Sequence, residues 1–253
     1  MSAAAETVDL AKAFGALEVV APLTLRVETG SFVSLLGPSG CGKSTLLRLI
    51  GGLELPSAGT VLVEGREPAR ALERKQIAMV PQSPGLLPWR SVEANARLLL
   101  DVNRRANPAD HPDPRELLHE VGLGGFLQSM PHQLSGGMQQ RVALVRAFAL
   151  GAPLVLMDEP FAALDEITRA EMRDLLARLI ERHPTTIVFV THSIAEAVRL
   201  SDRVLVLSPR PAHIVADVEV ALPRPRAADV EDRPAFVDTC SSLRHILSAA
   251  MHA

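Results

Sequence analysis

Runs of mostly apolar residues, rather than strict apolar–polar alternation, recur through the chain. They lie at positions 31–36, 77–80, 154–157, 186–190 and 204–207. Continuous apolar runs of this length are typical of parallel strands covered on both faces. Helical patterns follow several of the runs, with apolar residues three and four positions apart. The pattern therefore predicts an α/β core in which strands and helices alternate.

A glycine-rich segment links the first of these strands to a helical pattern at 46–50. It consists of Gly37, Pro38, Ser39, Gly40, Cys41, Gly42, Lys43, Ser44 and Thr45. This order fits the pattern G-x-x-x-x-G-K-[ST] in full, in which glycines let backbone N–H groups converge on phosphate oxygens. Lys43 adds a positive charge near the terminal phosphates, and the Ser44 hydroxyl can bind Mg²⁺. The alternative is a glycine-rich turn that matches by chance, which the flanking strand and helix disfavour.

Two regions depart from the alternating core. Strand-like segments at 7–10, 23–27 and 60–63 are punctuated by glycine or proline, and we expect them to form an antiparallel layer beside the nucleotide. Residues 83–150 combine proline-rich turns with helical patterns at 92–101 and 115–121. We interpret this second region as a helical subdomain inserted in the core.

Helix starts are predicted at two further places. Thr168 and Glu171 form a capping-box pattern that predicts a helix over 168–181, and Ser193 and Glu196 form another just after the run at 186–190. The C-terminal tail, 209–253, carries proline-rich turn signals and then an amphipathic segment around 243–247.

An acidic pair, Asp158 and Glu159, ends the strand predicted at 154–157. Parallel α/β sheets place ligands at the carboxyl ends of their strands, so these carboxylates fall where a nucleotide would bind. Asp158 suits Mg²⁺, directly or through water, and Glu159 suits proton abstraction from an attacking water. Carboxylates also end many strands simply because strands end at the surface, but the phosphate-loop pattern makes that explanation the weaker one.

A second potential anion site comes from the turn Ser135, Gly136 and Gly137, which opens a helix predicted over 138–150. The free N–H groups at a helix start, with the serine hydroxyl, favour an anion. An ordinary serine N-cap would explain the turn if it stood alone. One ATP does not obviously need two such sites from one chain.

Composition restricts the partners and the compartment. The chain has 253 residues, 47% of them hydrophobic, and a formal net charge of −3 without a basic face, which disfavours a role on nucleic acid. Its two cysteines, Cys41 and Cys240, suggest neither a disulfide framework nor a zinc site. Residues 1–6 lack the features of a signal peptide, and no apolar run approaches the roughly 18 residues of a membrane helix. We expect a reducing cytoplasm, with membrane association only through a partner.

The order and spacing of the phosphate loop, the Ser-Gly-Gly turn and the Asp158–Glu159 pair resemble those of ATP-binding-cassette (ABC) ATPases along nearly the whole chain. The resemblance implies a P-loop NTPase fold with an ABC-type nucleotide-binding domain, an N-terminal antiparallel β layer and a helical subdomain. It also implies ATP and Mg²⁺ as cofactors. In a head-to-tail dimer, residues 135–137 of each chain would complete the ATP site of the other.

The resemblance assigns roles to further residues. Phe14 falls where the family has an aromatic that stacks on adenine, although a buried core phenylalanine is an alternative because the usual residue there is tyrosine. Gln82 matches a glutamine that touches the metal or the attacking water. Asp165 matches a residue at the dimer interface, and His192 the histidine that contacts the γ-phosphate.

Among ABC proteins, the chain resembles the ATPase subunit of an importer, because no membrane domain is fused to it. We expect an integral membrane permease as partner, a periplasmic substrate-binding protein as an indirect one, and a location on the cytoplasmic face of the membrane. The alternatives are a soluble ABC-type ATPase acting on ribosomes or DNA, which usually carries two cassettes or a coiled coil, and a degenerate nucleotide-binding regulator, which the intact Lys43, Asp158, Glu159 and His192 disfavour.

The segments at 85–89 and 160–169 resemble the nitrate, sulfonate and taurine importer branch. These segments face the permease or the second cassette, so they indicate ancestry rather than cargo. Trp89, the sole tryptophan, fits an anchor for the permease and equally a core residue of the helical subdomain.

Overall fold

The computed structural model describes residues 3–226 and 228–252, so Met1 and Ser2 of the N-terminal stretch lie outside it. In chain order the strands are β1 (Ala3–Phe14), β2 (Leu17–Glu28), β3 (Phe32–Leu36), β4 (Ala58–Val63), β5 (Ile77–Val80), β6 (Leu154–Asp158), β7 (Thr186–Thr191), β8 (Arg203–Leu207) and β9 (Ile214–Glu219). The α-helices are α1 (Lys43–Ile50), α2 (Pro68–Glu73), α3 (Val92–Ala96), α4 (Leu98–Asp101), α5 (Pro114–Glu120), α6 (Gly136–Phe148), α7 (Glu166–Arg182), α8 (Ile194–Leu200) and α9 (Pro234–His252).

The core is a six-stranded sheet with the strand order β5-β6-β7-β3-β8-β9. The first five strands run parallel, and β9 pairs antiparallel with β8. Strands β3, β6 and β7 are buried at every residue, because helices cover both faces of the sheet. The α/β class predicted from the apolar runs is thus confirmed.

A second, three-stranded sheet has the order β2-β1-β4 and is antiparallel throughout. Its strands are longer than the apolar segments predicted, since β1 and β2 form a hairpin of 12 residues each. Their inward side chains share one core with helix α1 and the strands β3 and β6. The predicted antiparallel layer is confirmed and packs beside the segment that follows β3.

The chain between β5 and β6 is largely helical. The helix predicted over 92–101 is two short helices, α3 and α4, separated at Arg97. Asn95 is fully buried and fixes the preceding loop: its amide nitrogen donates to the carbonyl of Arg90 at 2.9 Å, and its oxygen accepts from the N–H of Leu87 at 2.7 Å. This region packs on the core sheet through helix α6.

Two of the predicted helix starts lie elsewhere in the structure. Helix α7 begins at Glu166 and not at residue 168, because Asp165 caps it by accepting from the Thr168 N–H at 3.0 Å. The Thr168/Glu171 capping box is therefore wrong. Helix α6 begins at Gly136, capped by Ser135, and not at residue 138. Ser193 does cap helix α8, as predicted, by accepting from the Glu196 N–H at 3.4 Å.

The C-terminal region adds strand β9 to the edge of the core sheet and packs helix α9 against α8 and β8. Buried Arg226 fastens this region by donating to the carbonyls of Ser201 at 2.6 Å, Val198 at 2.9 Å and Leu222 at 3.0 Å. Burial lowers the pKa of Arg226 to about 10, so the buried charge is costly and its carbonyl partners offset that cost. In the described part of the chain, no helix is long and apolar enough to cross a membrane.

We predict that Arg226→Ala lowers the free energy of unfolding by about 2–4 kcal/mol, because several buried carbonyls lose their donor together. Urea unfolding followed by circular dichroism measures the change. Arg105→Ala is the control, since Arg105 is exposed in the helical region and its loss should change stability by less than about 0.5 kcal/mol. Equal midpoints for the two variants would contradict this account of Arg226.

Candidate nucleotide-binding and hydrolysis site

The phosphate-loop segment 37–45 connects strand β3 to helix α1 at the carboxyl edge of the core sheet. Gly40 and Gly42 have φ angles of 74° and 124°, which favour glycine. A Cβ on Gly42 would also lie 2.8 Å from the carbonyl oxygen of Val19. Lys43 Nζ is buried and donates to the carbonyls of Gly37 at 2.8 Å and Pro38 at 2.9 Å. The loop thus wraps around the lysine ammonium, which is the group expected to meet phosphate oxygens.

Ser44 and Asp158 meet across the sheet edge. The Ser44 hydroxyl donates to Asp158 Oδ1 at 2.6 Å, although the two residues are far apart in sequence. No cluster of three or more His, Cys, Asp or Glu side chains suited to a metal occurs within residues 3–226 and 228–252. One hydroxyl with one carboxylate fits Mg²⁺, which usually takes few protein ligands and completes its shell with phosphate oxygens and water.

Glu159 lies next to Asp158 in a left-handed backbone conformation, with φ of 42°. Such a conformation is costly for a residue other than glycine, and strained residues of this kind cluster at active sites. The Glu159 N–H donates to the carbonyl of Val190 at 3.0 Å, which holds the turn in place. Its carboxylate lies 3.1 Å from His192 Nδ1 and 3.8 Å from Lys43 Nζ. The structure thereby brings three predicted residues together.

A cavity of about 280 Å³ opens between these groups. Its lining comprises Val19, Gly40, Gly42, Lys43, Ser44, Thr45, Glu159 and Arg210. Val19 and Arg210 were not predicted to lie here, because neither belongs to the phosphate-loop pattern. Cys41 is buried beneath the loop, and its burial raises the pKa of the thiol, so the side chain serves there as a small packing group.

Phe14 ends strand β1 and has 48% of its surface exposed, which excludes the alternative of a buried core phenylalanine. Lys12 Nζ lies 4.6 Å from the centre of the ring, in a cation–π contact. Phe14 does not line the cavity described above. Adenine stacking on Phe14 stays a prediction.

Other predicted site residues lie apart from the cavity. Gln82 is exposed just after strand β5, and Ser135 and Gly136 are exposed at the start of helix α6. A Cβ on Gly136 would meet nothing within 4 Å, whereas one on Gly137 would lie 2.7 Å from Thr168 Cγ2. The contact with Thr168 therefore explains why residue 137 is a glycine, whereas no contact within the described chain explains a glycine at 136.

Asp165 caps helix α7, and hydrogen bonds from the backbone and hydroxyl of Thr168 lower the pKa of its carboxyl. Arg169, one turn further on, donates to the carbonyl of Leu164 at 2.7 Å and lies 3.9 Å from Glu196. Glu196 in turn accepts from the hydroxyl of Thr191, the residue before His192. Burial raises the pKa of Glu196. These contacts connect the Asp165 segment with the His192 loop, a link that the sequence patterns did not reveal.

Residues 20–162 match the family described as ABC transporter, which spans the phosphate loop, the Ser-Gly-Gly turn and the Asp158–Glu159 pair. The chain belongs to the ABC transporter family. It is an ATP-binding cassette and an ATP hydrolase, as the resemblance implied.

Two curated relatives and one solved structure show how similar the cassette is. An aliphatic sulfonates import ATP-binding protein, SsuB 2 of Pseudomonas syringae pv. tomato, is 45% identical over 85% of this chain and 87% of its own. The bicarbonate transport ATP-binding protein CmpC of Synechocystis sp. is 41% identical over 89% of this chain and 34% of its own. The dimeric cassette MJ0796 in a post-hydrolysis state, bound to ADP and Pi, has a TM-score of 0.73 and 31% identity, covering 87% of this chain and all of that one.

We predict that Glu159→Gln lowers kcat for ATP hydrolysis about 10²–10⁴-fold, because the amide cannot accept a proton from water. ATP binding should persist, since the neutral side chain keeps the shape of the site. Steady-state phosphate release and equilibrium binding of a fluorescent ATP analogue measure the two effects. Glu181→Gln, in an exposed position of helix α7, is the control, and wild-type hydrolysis by Glu159→Gln would reject the assignment.

Proposed function

We propose that this cassette binds and hydrolyses ATP to energise an importer of small solutes, with aliphatic sulfonates as the first cargo class and nitrate or taurine as related ones. The observation that carries the ATPase part is the convergence of Lys43, Ser44 and Glu159 on one cavity at the sheet edge. The names of the curated relatives support the importer and its cargo class.

Different residues of this chain carry out different parts of the reaction. The phosphate loop and Lys43 bind the β- and γ-phosphates, where fixed N–H groups and an ammonium stabilise the charge that develops during transfer. Glu159 accepts the proton of the attacking water. His192, held 3.1 Å from Glu159, donates to the γ-phosphate and keeps the carboxylate oriented. Phe14 stacks on adenine.

Mg²⁺ would be held by Ser44 and Asp158, and Gln82 would touch the metal or the attacking water. The ion supplies Lewis-acid neutralisation of the phosphate oxygens. The hydrogen bond between Ser44 and Asp158 supports this role, because both oxygens already face the same point. Asp158 is buried, so its carboxylate has little access to bulk water.

A second copy of the chain would complete the site. The turn at 135–137, of which Ser135 and Gly136 are exposed, presents a hydroxyl and the free N–H groups of a helix start, and Gly136 leaves room for a close approach that no atom of its own chain makes. Asp165 would lie at the same interface. The solved relative MJ0796 is described as a dimer, which supports a head-to-tail pair of cassettes with ATP between them.

We predict that Lys43→Ala abolishes both ATP binding and ATP-dependent dimerisation, because the lysine supplies the charge that retains the phosphates. The test uses a Glu159→Gln background, in which unhydrolysed ATP accumulates, and measures dimers by size-exclusion chromatography with light scattering. Glu159→Gln alone is the control and should dimerise with ATP. Dimers that form equally well with both substitutions would contradict a site shared across the interface.

The permease would dock on the face that carries the helical subdomain, and the cassette would lie on the cytoplasmic side of the membrane. An open, largely apolar cavity of about 430 Å³ lies there, between the core sheet and helix α4, with Leu72, Met79, Pro81, Leu98, Leu99 and Val102 in its lining. Trp89, close by in sequence, is 72% exposed, which excludes the alternative of a subdomain core residue. An exposed tryptophan fits an anchor for a partner protein. A periplasmic substrate-binding protein would act through that permease.

We predict that Trp89→Ala preserves the ATPase rate of the isolated cassette and lowers transport at least about tenfold, because an interface tryptophan often contributes more than 1.4 kcal/mol. Uptake of a labelled alkanesulfonate is measured in cells that lack the native gene and carry the variant with the cognate permease. Phe126→Ala is the control, since Phe126 is another exposed aromatic of the helical subdomain. Nitrate and taurine are assayed in parallel to test the cargo class.

Undiminished uptake by Trp89→Ala would reject the anchor. Undiminished uptake when the gene is deleted would instead indicate an ABC-type ATPase or nucleotide-binding regulator that is not coupled to this transporter.

A further inference from the structure

Arg210 comes from the C-terminal region yet lies at the mouth of the nucleotide cavity. Its guanidinium donates to the carbonyl oxygen of Gly40 through Nη2 at 2.8 Å and through Nε at 3.2 Å. It also lines the cavity together with Lys43 and Glu159. No motif assigns a function to this arginine.

The loop that carries Arg210 is held firmly from both ends. The Ser208 N–H donates to the carbonyl of His213 at 3.0 Å, and the Ala212 N–H donates to the carbonyl of Val19 at 2.9 Å. In the other direction, the Ala21 N–H donates to the carbonyl of Ala212 at 3.0 Å. Prolines at 209 and 211 further limit the backbone on either side of the arginine. The guanidinium is therefore presented by an ordered loop, although the side chain itself is exposed.

The same loop packs against the phosphate loop. A Cβ on Gly42 would lie 3.3 Å from Ala212 Cβ, and a Cβ on Gly40 would lie 3.5 Å from Arg210 Nη2. The cavity wall is thus made by two segments that are far apart in sequence. The contact depends on strand β8, since its last residue, Leu207, lies next to the phosphate loop: a Cβ on Gly37 would lie 3.1 Å from the Leu207 carbonyl oxygen.

Arg210 has no carboxylate partner within residues 3–226 and 228–252. Among the ion pairs of the described residues, none involves this guanidinium, whereas neighbouring Arg203 and Arg224 pair with Asp217 and Asp202. Two of its nitrogens face the Gly40 carbonyl, which leaves N–H groups of the third for a ligand. Arginine binds phosphate oxygens with strong, charge-assisted hydrogen bonds.

We propose that Arg210 binds the phosphate chain of the nucleotide held by the phosphate loop of its own subunit, while its contact with Gly40 keeps that loop in its binding conformation. Arg210 is then a second cation of the site beside Lys43, contributed by the C-terminal region. The inference rests on the proposed placement of ATP at residues 37–45.

The test compares nucleotide affinity in the full-length protein with Arg210→Gln, Arg210→Lys and the control Arg105→Gln, which removes one exposed arginine far from the cavity. The probe is a fluorescent ATP analogue without Mg²⁺, titrated at about 50 mM and about 500 mM NaCl, which changes the screening length severalfold. We expect Arg210→Gln to raise Kd about tenfold at low salt and far less at high salt. Arg210→Lys should recover part of the affinity, and Arg105→Gln should match the wild type.

Two outcomes would overturn the proposal. Wild-type affinity of Arg210→Gln at both salt concentrations would mean that the arginine does not contribute. An equal loss at both salt concentrations, not recovered by Arg210→Lys, would mean that the side chain only supports Gly40 and does not bind phosphate.

Lys43→Ala separates this failure from a failure of the proposed function. If Lys43→Ala loses nucleotide binding while Arg210→Gln keeps it, the site stands and only the role of Arg210 is rejected. If Lys43→Ala also keeps wild-type affinity, the nucleotide binds elsewhere and the proposed function is rejected with it. Matched circular-dichroism melting curves confirm that each variant is folded.

Discussion

The hydrogen bond between Ser44 and Asp158 is the contact on which the geometry of this site depends. It joins the segment after β3 to the end of β6 across strand β7, which lies between them in the sheet. Only parallel strands in register bring those two ends to one edge. The Glu159 N–H donates to the carbonyl of Val190 in β7, and this hydrogen bond holds Glu159 in its strained conformation. The positions of the phosphate loop, of the oxygens proposed to hold Mg²⁺ and of the carboxylate proposed to activate water thus follow from one sheet.

The site is also linked to the segment around Asp165, which is predicted to lie at a dimer interface. Arg169 holds the carbonyl of Leu164 and faces Glu196, which in turn binds Thr191 beside His192. A shift of the Asp165 segment at an interface would therefore reach the histidine through buried or half-buried contacts rather than through solvent. Ser135 and Gly136 are exposed and do not line the nucleotide cavity, which agrees with a role toward another molecule.

Local rules predicted some elements well and failed at others for identifiable reasons. The buried runs of β3, β6 and β7 were predictable because both faces of a parallel sheet are covered. Strand β9 was missed, since proline signals around it outweighed the alternation of its half-buried residues. Helix α7 starts before its apparent capping box, because Asp165 caps the helix by accepting from the Thr168 N–H. Strands β1 and β2 are longer than the apolar segments that predicted them, because their pairing continues into polar residues.

By itself, the sequence determined the chemistry of the cassette: the residue types and spacing at 37–45, at 135–137 and at Asp158 and Glu159 suffice, because phosphate binding requires small residues and donors in a fixed local order. The tertiary structure alone decided which groups meet. It separated the Ser-Gly-Gly turn from the cavity and exposed Phe14 and Trp89. It also brought Arg210 to the phosphate loop through strand β8. Such contacts join residues that are far apart in sequence, so they form only when the strands have paired in this order.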